Sequence, residues 1–449
     1  MKKKVLSVTL VLAMAATMLA GCRSTSSDTA ATAAQSAAPA EAGTESADAD
    51  AADTSAAAQT ADAQTGAGIS KDDLKVGVIY VGDENEGYTA AHMAGVDEME
   101  KTLGLSDDQI IEKKNIAEDE SCLDAANDLV DSGCQIIFAN SFGHGSYMLQ
   151  AAQDNPDVQF CHATGADAKG AGLSNFHNFF TSVYESRYVS GVVAGLKLND
   201  MLDKGTVTKD KLKIGYVGAY PYAEVISGFT SFFLGVRSVC PDATMEVKYT
   251  NSWADLDLEN QTAKQLIADG CVLISQHADT TGAPSACEEA GVPCVGYNID
   301  MIPTAPDEAL TSASIDWGPY YTYAVQCMLD GKSIDTDWCQ GYAEGADKIT
   351  ALNEKILPDG TADKVKEVED KIKSGSLHVF DTSTFTVGGK SLEDAFNAGD
   401  LDSSFSDDTA KDTFGKSISD GYYHESDVTL NTSAPTFCVI IDGITSETN

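Results

Sequence analysis

The chain has 449 residues, 43% hydrophobic, 8% aromatic and 22% charged, and its 69 Asp and Glu against 29 Lys and Arg give a formal net charge of -40. Length and composition suit two or three globular units. The acidic balance argues against a nucleic-acid binder, whose phosphate contacts need clustered cations, and it repels an anionic lipid surface.

The chain opens on Lys2, Lys3 and Lys4, an apolar run from Val5 to Leu19, and the small residues Ala20 and Gly21 before Cys22. This pattern is a secretory signal, since the run is shorter than the roughly 20 apolar residues of a membrane span. Leu19-Ala20-Gly21-Cys22 resembles the bacterial lipoprotein cleavage box. That resemblance implies a signal peptide over 1–21, a lipid on the Cys22 sulfur, and a location at the extracellular face of a bacterial cell membrane. Residues 22–70 then form a stalk of Ala, Ser, Thr, Asp, Glu, Gln and Gly, too poor in apolar surface to fold. Asp48, Asp50 and Asp53 lie within it and cannot preorganise a metal site there. The other ten cysteines lack metal-ligand spacing and read mostly as packed thiols.

Lys75–Val81 is a β-branched run that predicts a buried parallel strand leading into the loop at Gly82. Ala91, Val96, Met99 and Leu103 recur at helical spacing, and Gly104 closes the helix. A second helix around Leu123 to Val130 ends at Gly133, and a second strand, Gln135–Ser141, leads into Phe142-Gly143-His144-Gly145. The order then repeats. Lys213–Gly218 matches the first strand, Leu266–Ser275 echoes Leu129–Phe138, and Val292–Tyr297 corresponds to Val158–His162. Two similar α/β lobes with parallel sheets follow, and their ligand belongs beyond the carboxyl ends of the strands.

The loops at those ends are 82–88, 140–145, 219–224, 253–255, 277–279 and 298–301. They are rich in aromatics and carboxylates and contain no Lys or Arg. Such a cleft rejects phosphate and carboxylate ligands and suits a flat, polar, neutral or cationic small molecule.

Several segments are more particular: Asn155–Phe160, Tyr188–Gly195, Trp253-Ala254-Asp255, Gln276-His277-Ala278-Asp279, Leu310-Thr311-Ser312 and Trp317-Gly318-Pro319-Tyr320-Tyr321. Together, over about Lys75 to Phe380, they resemble the basic membrane protein family of ABC-transporter substrate-binding lipoproteins. The resemblance implies a type I periplasmic-binding-protein fold: two parallel-sheet lobes, a hinge of three crossings, and a purine base or nucleoside held between the lobes for delivery to an ABC permease. It assigns a stacking aromatic to Tyr88 and a second one to Tyr220 or Trp253. The family's acidic position falls on Asn298, with Asp300 two residues on. Its ribose-binding Lys falls on Ile315, a departure that favours a free base over a nucleoside.

The expected layout is a first lobe over 71–182 and 305–380, a second over 183–304, and an extension over 381–449 packed on one lobe. Ligand-binding candidates are Tyr88, Phe142, Tyr220, Trp253, His277, Asp279, Asn298 and Asp300. Tyr88 also reads as a core aromatic, and Phe142 and Trp253 as packing residues. His277 and Asp279 read as hydrogen-bonding groups because no nucleophile stands near them in the sequence. Trp317, Tyr320 and Tyr321 read chiefly as core, and Arg187 as half of an ion pair. A monomer without cofactor, metal or catalytic residues is expected. The alternatives are a sugar or signalling-molecule receptor and, from another class, a nucleoside hydrolase.

Overall fold

The computed structural model describes residues 68–447. The expected signal segment, Cys22 and the stalk up to residue 67 lie outside the described residues. The folded part begins slightly ahead of the expected boundary at 71, since Ile69 N–H already bonds Met328 O at 3.0 Å and Ile69 packs on the first core.

The strands in chain order are β1 (Val76–Ile79), β2 (Ile110–Lys113), β3 (Ile136–Ala139), β4 (Gln159–Ala163), β5 (Phe176–Thr181), β6 (Lys213–Gly218), β7 (Thr244–Tyr249), β8 (Leu273–His277), β9 (Cys294–Tyr297), β10 (Ala309–Ile315), β11 (Asp337–Gln340) and β12 (Asp347–Ile349). The short hairpin of β13 (Ile418–Ser419) and β14 (Tyr422–Tyr423) follows, and β15 (Ile444–Glu447) is last. One sheet has the order β11-β5-β4-β3-β1-β2 and the other β12-β10-β9-β8-β6-β7-β15. The duplication is thus topological: 2-1-3-4-5 in the first lobe repeats as 7-6-8-9-10 in the second. All these pairings are parallel except β10 with β12. Every residue of β1, β3, β8 and β9 is buried, as expected of strands covered by helices on both faces.

The repeat extends to the backbone. Asn115 and Asn251 follow β2 and β7 at φ 57° and 55°, and Thr164 and Asn298 follow β4 and β9 at φ 66° and 65°. Asn tolerates this left-handed conformation, whereas a β-branched Thr does so only at a cost, so Thr164 marks a turn that the lobe imposes.

The division of the chain corrects the expectation for 305–380. β10 pairs with β9 in the second sheet, because the second lobe repeats the five-strand winding of the first and needs this strand to complete it. The chain crosses back only at Asp316. Helix Gly318–Asp330 then packs on helix Gly87–Leu103, where Gly95 lets Trp317 approach, and β11 joins β5. After Gly341–Ala346 the chain returns to the second lobe as β12 and helix Thr361–Lys373, which packs on helix Val183–Asp203. The three crossings lie at Ser182, Asp316 and 341–346.

Apolar clusters cover both faces of each sheet, and the residues after Phe380 join the second lobe's larger cluster through Phe385, Leu392, Phe414, Tyr423 and Phe437. The ten described cysteines are free, and eight are buried. In the second lobe, helices Val183–Asp203 and Ala223–Val239 approach backbone to backbone. A Cβ on Gly191 would lie 2.1 Å from Phe232 O, and one on Gly235 2.0 Å from Tyr188 O. Because a carbonyl cannot rotate away as a side chain can, Gly191→Ala is expected to cost about 2 kcal/mol. A thermal melt of the ligand-free protein checks this, and an unchanged midpoint would contradict it.

Candidate ligand-binding cleft

A cavity of about 310 Å³ lies between the lobes. The first lobe contributes Gly82, Glu86 and Tyr88 after β1, Glu118 after β2, Ser141 and Phe142 after β3, and Thr164 after β4. The second contributes Tyr220 and Glu224 after β6, Trp253 after β7, His277 and Asp279 at the end of β8, and Tyr297 at the end of β9. Each stands at a strand's carboxyl end, where parallel α/β sheets place their ligands.

The aromatic walls are anchored. Glu86 caps helix Gly87–Leu103, accepting from Tyr88 N–H at 2.6 Å and Thr89 N–H at 2.8 Å. Tyr88 Oη donates to Asn140 O at 2.6 Å, and its ring meets His92 edge-on at 4.6 Å. On the opposite wall Tyr220 stacks on Tyr222 at 5.1 Å and meets Trp253 edge-on at 5.3 Å. Phe142 and Tyr222, 57% and 46% exposed, face each other at 6.1 Å from opposite lobes and form the mouth. Gly87 N–H bonds Asp279 O at 3.0 Å across the cleft, so the lobes are closed on each other.

The polar lining is acidic. Asp279 accepts from Asn298 Nδ2 at 2.7 Å, and Asn298 O accepts from Ser314 Oγ at 2.6 Å. Burial, then the charges of Glu86, Glu259 and Glu224, raise the Asp279 carboxyl well above its usual range. Burial also raises Glu86, and it pushes Glu224 up to about 7 against the opposing pull of Arg187. Glu224 Oε1 lies 3.2 Å from His277 Nε2, while burial followed by the Arg187 charge drives His277 towards the neutral form. Glu118 accepts from Ser141 Oγ at 2.6 Å and Gly143 N–H at 2.7 Å, which fixes the Phe142 loop.

Six of the eight residues singled out in the sequence line this cavity: Tyr88, Phe142, Tyr220, Trp253, His277 and Asp279. Asn298 stands behind Asp279 and orients it. Asp300 is outside, exposed, with its carboxylate accepting from Ile302 N–H at 3.0 Å, because the left-handed turn at Asn298 directs the following residues away. Ile315 is buried in the first core with Trp317, so that position offers the cavity no polar group. Trp317, Tyr320 and Tyr321 are core residues. Among the described residues Arg187 has no ion-pair partner of the expected kind: its guanidinium donates to Gln276 O at 2.6 Å and lies 3.6 Å over the Tyr297 ring.

Glu86 and Glu224 sat in loops that the strand pattern had marked, yet nothing distinguished them from surface acids. Glu118 was hidden because β2 is partly exposed and short, and Tyr297 because it ends an apolar strand. Among the described residues the lining has no Lys or Arg. Four carboxyl groups between aromatic faces therefore suit a flat heterocycle that presents N–H groups at its edge. Trp253→Ala is expected to weaken the binding of such a ligand about 10- to 100-fold, the worth of one stacked face, as read by titration calorimetry.

Two α/β lobes joined by three crossings around such a cleft define a two-lobe solute receptor of the type I periplasmic-binding-protein fold. Residues 74–383 match the Bmp family, described as ABC transporter substrate-binding protein PnrA-like, and the chain belongs to that family. It is 35% identical to a purine-binding protein of Brucella abortus over 70% of this chain and 85% of that protein. It is 31% identical to a Haloferax volcanii protein named as a candidate ABC transporter glucose-binding protein, over 56% of this chain and 60% of that one. An ABC transporter solute-binding protein structure from Aeropyrum pernix shares the fold at a TM-score of 0.58, with 14% identity, covering 73% of this chain and 97% of that one.

Proposed function

We propose that this protein is the receptor of an ABC importer, capturing a purine, with free bases preferred over nucleosides, and passing it to a membrane permease. The observation that carries this reading is the pairing of anchored aromatic walls with the Asp279–Asn298 and Glu224–His277 edges in a cavity whose described lining holds no Lys or Arg. The purine-binding relative supports it, as does the burial of Ile315 in the core at the position that the family resemblance assigns to a ribose contact. Binding works by population shift: a ligand touching both lobes favours the closed state, whose surface a permease can distinguish. We further propose that the protein acts outside the cell as a monomer, tethered through a lipid on Cys22.

The test is calorimetric titration of full-length protein, unfolded and refolded to strip any carried ligand, with adenine, guanine, hypoxanthine, adenosine, guanosine and glucose. Tight binding of bases with weak binding of nucleosides is the expected result. Nucleosides binding tighter would overturn the base preference. Heat from glucose alone, the reading that the Haloferax relative favours, would overturn the purine assignment while leaving the receptor class intact.

A further inference from the structure

The family match ends at residue 383, and the segment beyond it touches both lobes. Most of it is rooted in the second lobe, where Phe414, Tyr423, Phe437, Val439 and Ile441 share that lobe's core and β15 extends the sheet beside β7. Between Tyr423 and Phe437, however, the chain leaves this core and runs to β11, the edge strand of the first lobe.

Lys169 of the first lobe meets it there. Its Nζ donates to Val428 O at 2.6 Å and Asn431 O at 2.7 Å, and lies 3.0 Å from Asp337 Oδ2. Asp337, at the start of β11, has a side chain only 2% exposed and accepts from Ser433 N–H at 3.1 and 3.2 Å. Asn431 in turn donates to Ser417 Oγ at 2.8 Å and His424 O at 2.9 Å, which ties the crossing to its own hairpin. A buried carboxylate with one cation and one backbone donor is a demanding arrangement, because removing the cation leaves the charge uncompensated.

We propose that residues 427–433 form a strap that holds the lobes in the closed arrangement and slows ligand release, with Lys169 and Asp337 as the positioning residues that clamp it. The strap is fixed at both ends to the second lobe and in its middle to the first. The anchors belong to different lobes, so a rotation of the lobes about the crossings at Ser182, Asp316 and 341–346 that separates them breaks these bonds. Bonds that exist only in the closed arrangement add to its stability, and they raise the barrier to release without hindering entry into the open cleft. The strap meets the sheet at the start of its edge strand β11, where Ser433 N–H reaches Asp337.

This inference rests on capture by lobe closure, and its test is stopped-flow tryptophan fluorescence of the full-length protein with adenine, since Trp253 lines the cleft. Lys169→Ala is expected to raise the dissociation rate about tenfold with the association rate within twofold of wild type, a split that general destabilisation would not produce. Lys169→Arg should restore slow release, and Asp337→Asn combined with Lys169→Ala should be no faster than the faster single variant. Release at the wild-type rate from both Lys169→Ala and Asp337→Asn, or equal changes in both rates, would overturn the strap. If the calorimetric titrations show no binding of any purine, the purine reading fails on its own. Small-angle scattering of the ligand-free proteins then decides the strap: a larger radius of gyration for Lys169→Ala supports it, and equal radii overturn it.

Discussion

Asp279→Asn is expected to raise the dissociation constant for a purine base about 100-fold or more, while the melting temperature of the ligand-free protein stays near that of wild type. The Asp279 carboxyl is held from behind by Asn298 Nδ2 at 2.7 Å, so its free edge is aimed at the cavity rather than left to rotate. A charge-assisted bond from a ligand N–H to such a preoriented oxygen is worth more than a neutral one, and its loss in a desolvated cleft costs about 3 kcal/mol. The Asn variant keeps the shape but loses the charge and can turn an NH2 group towards the ligand's own donors. In the folded apo protein the same change removes a carboxyl that burial and three neighbouring acids already disfavour as an anion, which is why stability should hold. Calorimetric titration beside a thermal melt separates the two effects. Unchanged affinity would remove Asp279 from the binding edge.

The affinity should also depend on pH, with a sign set by Glu224. Its carboxyl is pushed up to about 7 by burial, so at pH 5.5 most of the ligand-free protein carries it protonated. A ligand donating N–H bonds favours the ionised form, so binding below neutrality must release a proton. Affinity therefore rises with pH through the mildly acidic range and levels off above about 7. One such group gives about a 20-fold gain between pH 5.5 and 7.5, or ~1.8 kcal/mol at 1.36 kcal/mol per tenfold. Asp279 and Glu86, both raised, act in the same direction, and His277, driven neutral by burial, adds no opposing charge over this interval. Titrations at several pH values in buffers of different ionisation heat would count the proton. Glu224→Gln should flatten the part of the profile that this residue carries, and affinity falling with rising pH would refute the ionised-acceptor arrangement.

The duplicated strand and helix order could be read from residues alone because a strand covered on both faces must be apolar throughout, as Val76–Ile79 and Ile136–Ala139 are. Glycine at a helix end, Gly104 at φ 62°, was equally legible, since few other residues take that conformation cheaply. β2 was not legible: it is a four-residue strand at a sheet edge, and its mixed exposure carries no clear period. β10 was assigned to the wrong lobe for a related reason. Its seven buried residues include Thr311, Ser312 and Ser314, whose hydrogen bonds to Thr350 and Asn298 are long-range, so the local pattern records burial without saying in which sheet.

The sequence by itself determined two α/β lobes, the loops that line the cleft between them, the excess of carboxylates among them, and the family. Each follows from local chemistry, because strand period, turn residues and charge are properties of short stretches of chain. Only the tertiary structure decided that Glu118 and Tyr297 reach the cavity while Asp300 does not, that Asn298 serves Asp279, that Arg187 lies over Tyr297, and that the last residues span both lobes. These depend on which distant loops converge when two sheets close on one another, and on side chains whose burial shifts their charge only once the partners have met.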